Sequence, residues 1–402
     1  MTLRKLTNLD MESMEYDSVS TITLVSGWDS GEESTLKFQC AVSTVMKNNP
    51  VLTGQLIKTS SAIQVNTGVF GVDGVFTVAK LPSDKAFKAP VTVAEKVEVL
   101  QKLNLEFSDS VKTGNNLLKD RSNIFQVTLL LLPSGHACYK VSISHAIADA
   151  STYYRVVGQL SDAWNGKEPT FLLDWTPIPE AYPFKKPLSE ISLLDKLKVF
   201  VTLRCLFFQE QLHRRGGKKR QDSCVVVDKS TCTREKEKAN DGTYKFLSTN
   251  DIVTAALAGA SSAKNLLMSA DLRGKQNQHP KLTCHAAGNY VKVIVFQGFD
   301  SNPCTIRKKL LNKQTWNRKG NKHFLIQHIL DNHTLCLVTN WASFMTCIEG
   351  SGLNTVAHMP TMSGQILPHD AAVIFKLDKS GEIAIWHNMG TISHPVFLAP
   401  NP

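Results

Sequence analysis

His145 and Asp149 are the two residues whose types and spacing could carry chemistry in this chain. A histidine can accept a proton at neutral pH, because the unperturbed pKa of imidazole lies near 6.5. An aspartate at the start of a helix accepts hydrogen bonds from the first backbone N–H groups of that helix. The pair alone therefore permits two interpretations: a proton-transfer site, or a packing histidine followed by an ordinary helix cap.

The segment around this pair predicts a strand that runs into a loop and then a helix. Residues 125–132 and 138–144 have strand-like sequences, and the Pro133-Ser134-Gly135 turn joins them as a hairpin. From Asp149 onwards apolar residues recur at helical spacing as far as residue 164. His145 is thus expected at a strand end, where the strand holds the backbone and the loop opens the ring to a substrate.

The remaining pattern alternates strands and helices without a regular βαβ repeat, which favours layered α+β architecture over a doubly wound sheet or a barrel. In the first half it predicts strands over 20–26 and 51–57 and helices over 36–47 and 93–105. In the second half it predicts a capped helix from residue 248, a helix over 306–318, and strands over 223–228, 266–270, 288–295, 335–341, 371–377 and 382–387.

A length of 402 residues suggests two domains. We place them at residues 1–170 and 223–402, joined by a crossover over 171–222. The crossover begins rich in proline and continues into an apolar helix over 188–212, which either packs between the domains or touches a membrane surface. Packing is favoured, because charged residues such as Asp195 and Lys198 interrupt the apolar sequence.

Composition narrows the function. A formal charge of +10 favours an anionic partner such as a phosphorylated small molecule, a membrane surface or nucleic acid. Nine cysteines without a Cys-x-x-Cys pair argue against a disulfide framework or a zinc cluster and indicate a reducing compartment. With no signal peptide and no apolar run of about 18 residues, a cytoplasmic location is expected.

Several common functions are disfavoured by the motifs that the sequence lacks. It contains no glycine-rich phosphate loop, no Gly-x-Ser-x-Gly elbow and no His-Glu-x-x-His metal helix. No interleaved basic and aromatic residues support nucleic-acid binding.

Five segments, taken together and in order, resemble the BAHD family of CoA-dependent acyltransferases. The central one, Ser144 to Ala150, is similar to the H-x-x-x-D-[GA] motif of that family. The others are 49–56 (Pro-x-Leu-x-Gly-Arg-Leu), 246–255 (Ser-Thr-Asn-Asp), 269–275 with Gly288-Asn289 (Asp-x-Arg…Gly-Asn), and 338–344 (Thr-Ser-Trp). The resemblance covers residues 20 to 390 approximately.

One motif departs from the family pattern. Where the family has Asp-Phe-Gly-Trp-Gly, this chain has Gly350-Ser351-Gly352-Leu353-Asn354, which keeps only the central glycine. In the family that motif is structural and lies away from the chemistry, near the CoA side. The departure suggests a divergent member and leaves the mechanism in place.

The resemblance implies a fold and a reaction. The fold would be α+β, with two similar-sized chloramphenicol-acetyltransferase-like domains, mixed sheets flanked by helices and a long crossover. His145 would act as general base in direct acyl transfer from acyl-CoA to a hydroxyl or, less favoured, an amine. Asp149 would pair with Arg273 and tie the His145 loop to the second domain. Thr339 is the candidate donor to the oxyanion, and Trp341 and Trp28 are candidate walls of the acceptor pocket.

Acyl-CoA would be a cosubstrate, with no permanently bound cofactor and no metal, and the enzyme would be a monomer. The candidate contacts to CoA are Arg214, Arg215, Lys218, Lys219 and Arg220 on the crossover, together with Ser248 and Asn289. Two alternatives remain open. One is a condensation-type enzyme that takes acyl groups from a carrier protein, and the other is a non-catalytic binding protein that retains the fold. A weak membrane contact through 188–213 also stays open.

Overall fold

The computed structural model describes residues 3–7, 10–11, 13–29, 31–60, 62–81, 87–107, 111–178, 223–239, 242, 246–261, 265–274, 282–297, 301–311, 335–361, 370–389 and 391–398. The expected apolar helix over 188–212 and the basic run after it lie outside these ranges. Among the helices of the described ranges, none is long and apolar enough to cross a membrane.

The first half of the chain alternates strands with helices. Its strands are β1 (Leu3–Lys5), β2 (Val19–Ser26), β3 (Gln55–Lys58), β4 (Ile63–Asn66), β5 (Phe76–Lys80), β6 (Phe125–Leu132) and β7 (His136–Ile143). Its helices are α1 (Glu32–Asn48), α2 (Val93–Asn104), α3 (Gly114–Asp120) and α4 (Ala150–Trp164).

The second half is built in the same mixed manner. Its helices are α5 (Lys229–Ala239), α6 (Thr249–Ala260) and α7 (Pro303–Leu311). Its strands are β8 (Ser223–Val227), β9 (Asn265–Asp271), β10 (Val291–Gln297), β11 (Leu335–Asn340), β12 (Asn354–Pro360), β13 (Asp370–Lys376), β14 (Ile383–His387) and β15 (Phe397–Leu398).

These strands form two large mixed sheets and one small one. The first half carries a five-stranded sheet in the order β12-β2-β7-β6-β5, and the second a seven-stranded sheet in the order β10-β9-β11-β13-β14-β8-β15. Strands β1, β4 and β3 make the small third sheet. The predicted mixed α+β, two-domain architecture is confirmed. Strand β12 comes from the second half of the sequence yet pairs with β2 in the first sheet, so the second half contributes a strand to that sheet.

Strand β7 lies in the middle of its sheet, because β2 and β6 both pair with it in antiparallel register. Seven of its eight residues are buried. The hairpin of β6 and β7 is the one predicted from the sequence. This central position gives the residues that follow β7 a rigid base.

One predicted strand is wrong. Residues 51–57 were expected to be extended, but Pro50–Thr53 form a 3-10 helix and only Gln55–Lys58 form a strand. Proline is well suited to the first turn of a helix, because its missing N–H would be unpaired there in any case. Helix α2, predicted over 93–105, is present and begins with a capping box of Thr92 and Glu95.

Buried apolar side chains form two clusters, and the first also takes in residues of the seven-stranded sheet such as Phe375 and Trp386. The first includes Phe38 of α1 and Tyr139 of β7. The second includes Ile374 of β13 and Ile385 of β14. Helices α1 and α4 pack against each other in the first half. The first cluster therefore extends across both halves of the sequence.

Candidate active site

His145 lies just beyond the end of β7, in the loop that leads into α4. The loop is held closely, because Ser144 N donates to Ile124 O (2.8 Å) and Ile147 N donates back to Ser144 O (3.0 Å). Ala146 and Ile147 are fully buried, while the residue His145 is partly exposed. The loop therefore anchors the backbone of His145 in the core.

The His145 ring contacts the other half of the chain through Asn289. The Asn289 Oδ1 atom lies 3.1 Å from His145 Nδ1, and Asn289 Nδ2 donates to the His145 carbonyl oxygen (2.7 Å). Because an amide oxygen can only accept, this contact requires the proton on Nδ1 and leaves the lone pair on Nε2. The imidazole is thus held at the junction of the two halves, oriented by a residue 144 positions away.

Burial lowers the pKa of His145, because the charged imidazolium loses hydration inside the protein. The ring's hydrogen bonds and the nearby carboxylates of Asp149 and Asp10 act in the opposite direction without reversing the shift. The imidazole is therefore neutral at neutral pH. A neutral imidazole with a free Nε2 lone pair is equipped to accept a proton.

Asp149 and Arg273 form a bidentate ion pair across the junction. Arg273 Nη1 donates to Asp149 Oδ2 (2.9 Å) and Nη2 donates to Asp149 Oδ1 (3.1 Å), with both side chains almost completely buried. Burial alone would raise the pKa of Asp149, but the Arg273 guanidinium lowers it below its usual value. Asp149 also caps α4 by accepting from Thr152 N (2.9 Å), so this residue is a helix cap and an ion-pair partner at the same time.

The Asp149 carboxylate also accepts a hydrogen bond from the backbone of the segment that carries Asn289. Tyr290 N donates to Asp149 Oδ2 (2.9 Å), and Arg273 Nη2 donates to Gly288 O (2.9 Å). Gly288 has a φ of 143°, and a Cβ there would lie 3.2 Å from an Arg4 nitrogen and 3.1 Å from the Tyr290 ring. A glycine is therefore required at this position. The hydrogen bonds connect Asp149 and Arg273 to the backbone on both sides of Asn289.

The N-terminal segment also reaches the site, which the sequence reasoning missed. The Tyr16 ring lies 5.6 Å from the His145 ring between centroids, tilted by 55°. Asp10 is fully buried and accepts from Asn289 Nδ2 (2.9 Å). A signal was present, because Thr7 and Asp10 have the spacing of a capping box and do exchange backbone-to-side-chain hydrogen bonds.

Thr339 and Trp341 lie at the end of β11 in the second half. Thr339 is partly exposed, and within the described residues its hydroxyl has no hydrogen-bond partner. Trp341 is buried and meets the Tyr154 ring of α4 edge-on at 6.3 Å. The structure therefore brings Trp341 to the helix that Asp149 caps. No contact within the described residues joins Thr339 directly to His145.

Trp28 is not part of this site. Val19 of β2 pairs with Ile143, whereas Ser26 pairs with His136, so Trp28 lies beyond the end of β2 that is remote from His145. Its ring stacks on Trp164 at 5.6 Å and belongs to the first core. The assignment of Trp28 to the acceptor pocket is therefore corrected to a packing role.

The predicted CoA contacts have different outcomes. The polar groups of Asn289 are used within the protein, on His145 and Asp10, so we no longer assign this residue to CoA. The Ser248 hydroxyl caps α6 in a capping box with Asp251, which restricts it in the same way. The five basic residues of the crossover, Arg214, Arg215, Lys218, Lys219 and Arg220, lie outside the described residues.

The divergent segment over 350–354 packs on the far end of α4. Trp164 Nε1 donates to Gly350 O (3.1 Å), and the Ser351 hydroxyl donates to Asn165 Oδ1 (3.2 Å). Gly27 faces the backbone of Gly352 so closely that a Cβ on Gly27 would overlap the carbonyl. The segment therefore contacts the end of α4 that is opposite to Asp149.

No protein-family profile matches this chain, and no curated protein is similar to it in sequence. The similarity lies in the fold. The structure of vinorine synthase matches with a TM-score of 0.65 at 14% identity, over 96% of this chain and 89% of that one. The structure of F. graminearum TRI101 with coenzyme A and deoxynivalenol matches with a TM-score of 0.62 at 13% identity, over 96% of this chain and 94% of that one.

A condensation domain of the monacolin K polyketide synthase MokA matches more weakly. Its TM-score is 0.56 at 10% identity, over 99% of this chain and 93% of that one. Identities this low establish architecture and leave substrates undetermined. The chain thus has the two-domain α+β fold of vinorine synthase and TRI101, with His145 held at the junction of its halves.

Proposed function

We propose that this protein is an acyltransferase that moves an acyl group from acyl-CoA to a hydroxyl of a small acceptor, with His145 as general base. The observation that carries the proposal is the His145 ring itself. It lies at the junction of the halves, burial lowers its pKa, and Asn289 Oδ1 accepts from its Nδ1 atom. The fold, shared with a protein crystallised with coenzyme A and a small molecule, supports the same reading.

The reaction begins with proton removal from the acceptor. An alcohol attacks a thioester poorly until its proton is taken, and the free Nε2 of a neutral His145 is the group that takes it. General-base help of this kind is typically worth about 10²–10⁴ in rate. The alkoxide oxygen adds to the thioester carbonyl, a tetrahedral oxyanion forms, and the C–S bond then breaks. The CoA thiolate leaves and receives the proton that His145 took from the acceptor, which restores the neutral imidazole, so no acyl-enzyme is needed.

The oxyanion needs a hydrogen-bond donor, and we assign that role to Thr339. Thr339 is partly exposed, and within the described residues its hydroxyl has no hydrogen-bond partner, so it is available to donate. A donor aimed at the developing charge contributes in the transition state more than in the ground state. We assign Trp341 to the wall of the acceptor pocket, because it packs on Tyr154 of the helix that follows His145.

Asp149 and Arg273 support this chemistry without taking part in proton transfer. Their bidentate pair joins the loop that carries His145 to the segment that carries Asn289. We retain the basic residues 214–220 as proposed contacts to the CoA phosphates, because guanidinium and ammonium groups are the usual partners of phosphate. The overall charge of +10 fits an anionic cosubstrate.

We further propose a monomer in the cytoplasm that acts on hydroxyls in preference to amines. The eight cysteines in the described part of the chain are all free thiols, which fits a reducing compartment. The acyl-CoA would be consumed as a cosubstrate and would not stay bound between turnovers.

A carrier-dependent condensation reaction is the second candidate, favoured by the similarity to the MokA condensation domain. It would use the same histidine but would take the acyl group from a phosphopantetheine on a protein. The two candidates differ in their donor. An acyl-CoA that is turned over without any carrier protein favours the first, and activity only with an acylated carrier favours the second.

The test is a thiol-release assay with acetyl-, malonyl- and longer acyl-CoAs against a panel of alcohols and amines. We expect thiol release that depends on one class of acceptor, together with an ester product of matching mass. CoA binding without turnover of any donor, carrier-bound donors included, would instead identify a non-catalytic binding protein and overturn the proposal.

A further inference from the structure

Asp10 lies in the N-terminal segment, 279 positions before Asn289, and its carboxylate is fully buried. Three groups donate to it: Asn289 Nδ2 to Oδ1 (2.9 Å), and Thr7 N (2.9 Å) and Arg4 Nη2 (3.3 Å) to Oδ2. Nothing in the reaction outlined above uses this carboxylate. Its contact with Asn289 places it one residue away from the catalytic imidazole.

The Asn289 amide is held by what surrounds it. Its two Nδ2 hydrogens point to two groups that can only accept, the Asp10 carboxylate and the His145 carbonyl oxygen (2.7 Å). If the amide were turned over, its oxygen would face both acceptors and its NH₂ would face His145 Nδ1. The carboxylate contributes the stronger part of this restriction, because hydrogen bonds to a charged acceptor are roughly twice as strong as neutral ones.

We propose that Asp10 is a positioning residue: it fixes the orientation of the Asn289 amide, and that amide holds His145 in the tautomer with the proton on Nδ1. The Nε2 lone pair is then presented to the acceptor. The catalytic consequence rests on the proposed function, whereas the control of the tautomer does not. Asp10 also carries a negative charge that favours the imidazolium formed during proton transfer.

Asp10→Asn is the direct test, because an asparagine can donate as well as accept and so permits the Asn289 amide to turn over. The readout is the ¹⁵N spectrum of imidazole-labelled protein, with the His145 signals assigned by their loss in His145→Gln. We expect the wild type to carry its proton on Nδ1. In Asp10→Asn we expect a substantial population with the proton on Nε2, and a fall in kcat of about 10- to 100-fold with little change in KM for acyl-CoA.

A swap of the two side chains provides a rescue. With Asp10→Asn and Asn289→Asp together, the new amide donates to the new carboxylate, whose second oxygen accepts from His145 Nδ1. The His145 carbonyl oxygen loses the donor that Asn289 Nδ2 supplies, so we expect partial recovery. We expect this double variant to keep the proton on Nδ1 and to exceed Asp10→Asn in kcat. The charge of the network is unchanged, so the swap tests the proposal even if Asp10→Asn alone does not fold. Asp73→Asn, at an exposed carboxylate that accepts a hydrogen bond from Gln39, is the control for a lost charge.

The results separate the two claims. A wild type with the proton on Nε2, an unchanged tautomer in a folded Asp10→Asn, or a swap variant with the proton on Nε2 would each overturn the role of Asp10. The expected tautomer changes in a protein that transfers no acyl group would retain that role and reject the proposed function.

Discussion

The guanidinium of Arg273 and the carboxylate of Asp149 meet as a two-pronged ion pair between residues 124 positions apart in the chain. Each group also bonds to the backbone around Asn289: Tyr290 N donates to Asp149, and Arg273 donates to Gly288 O. The pair therefore joins the loop that presents the imidazole to the segment that orients it. The pair is thus a direct polar link between the two halves of the sequence, beside the His145 ring.

Replacing Asp149 by alanine should cost stability as well as activity. It leaves the Arg273 charge buried without its partner and removes the cap of α4, so we expect a loss of about 3–5 kcal/mol in the free energy of unfolding. Denaturant titration measures this. Asp120→Ala, which removes the exposed partner of Lys112, is the matched control and should leave the stability almost unchanged. An Asp149→Ala variant with wild-type stability and no activity would instead indicate a direct chemical role.

The rate should depend on pH through His145. Because burial lowers its pKa, the neutral, active form persists below the usual value of 6.5 and is lost only at more acidic pH. We therefore expect kcat/KM to stay above half of its plateau at pH 6.5 and to fall on further acidification. Initial rates between pH 4.5 and 8.5 measure this acidic limb of the pH–rate profile. A limb centred above 6.5 would contradict the environment described for the ring.

Replacing Thr339 by valine should lower kcat and leave the fold intact. Valine has nearly the shape of threonine and lacks only the hydroxyl, and removal of one oxyanion donor costs about 10²–10³ in kcat in other enzymes. Thr339→Ser, which keeps the hydroxyl, is the control and should retain most of the activity. Steady-state rates of the three proteins decide the point, and equal rates for wild type and Thr339→Val would remove Thr339 from the reaction.

His358 should make the protein sensitive to acid. The ring is buried between the hydroxyls of Thr23 and Tyr154, and burial lowers its pKa to about 3. Between about pH 6.5 and 3 the unfolded chain takes up a proton here and the folded one does not, so stability falls as pH falls, by at most about 1.4 kcal/mol per pH unit.

His358→Gln tests this by removing the proton that is taken up. We expect its free energy of unfolding to change less between pH 6.5 and 4 than that of the wild type, measured by urea titration at each pH. His285→Gln, at an exposed ring, is the control for loss of an imidazole. Parallel pH curves for wild type and His358→Gln would show that His358 does not contribute.

Local pattern was sufficient for the elements around the site. The alternation before His145 and the helical spacing after Asp149 predict β7 and α4, because both signals come from neighbours in sequence. Strand β12 was missed, since its partner β2 lies more than 300 residues earlier and its own polar residues, such as His358, are buried by that pairing. Asp10 and Tyr16 were missed for the same reason: nothing near them in sequence shows what they touch.

Polar residues were the hardest to assign. Asn289 is polar enough to contact a ligand. Only its position against Asp10 and His145 shows that its amide already hydrogen-bonds within the protein. Trp28 looked suited to a pocket wall, yet antiparallel pairing of β2 with β7 carries it to the opposite end from His145. Their roles depend on which end of a sheet they occupy, which spacing alone does not determine.

The most direct measurement of the central claim compares wild type with His145→Ala in acceptor-dependent thiol release, with acyl-CoA binding measured on both by calorimetry. If Nε2 removes the acceptor proton, the alanine variant should bind acyl-CoA as the wild type does and lose about 10²–10⁴ in kcat. Acceptor-dependent release that continues at the wild-type rate in His145→Ala would contradict the account.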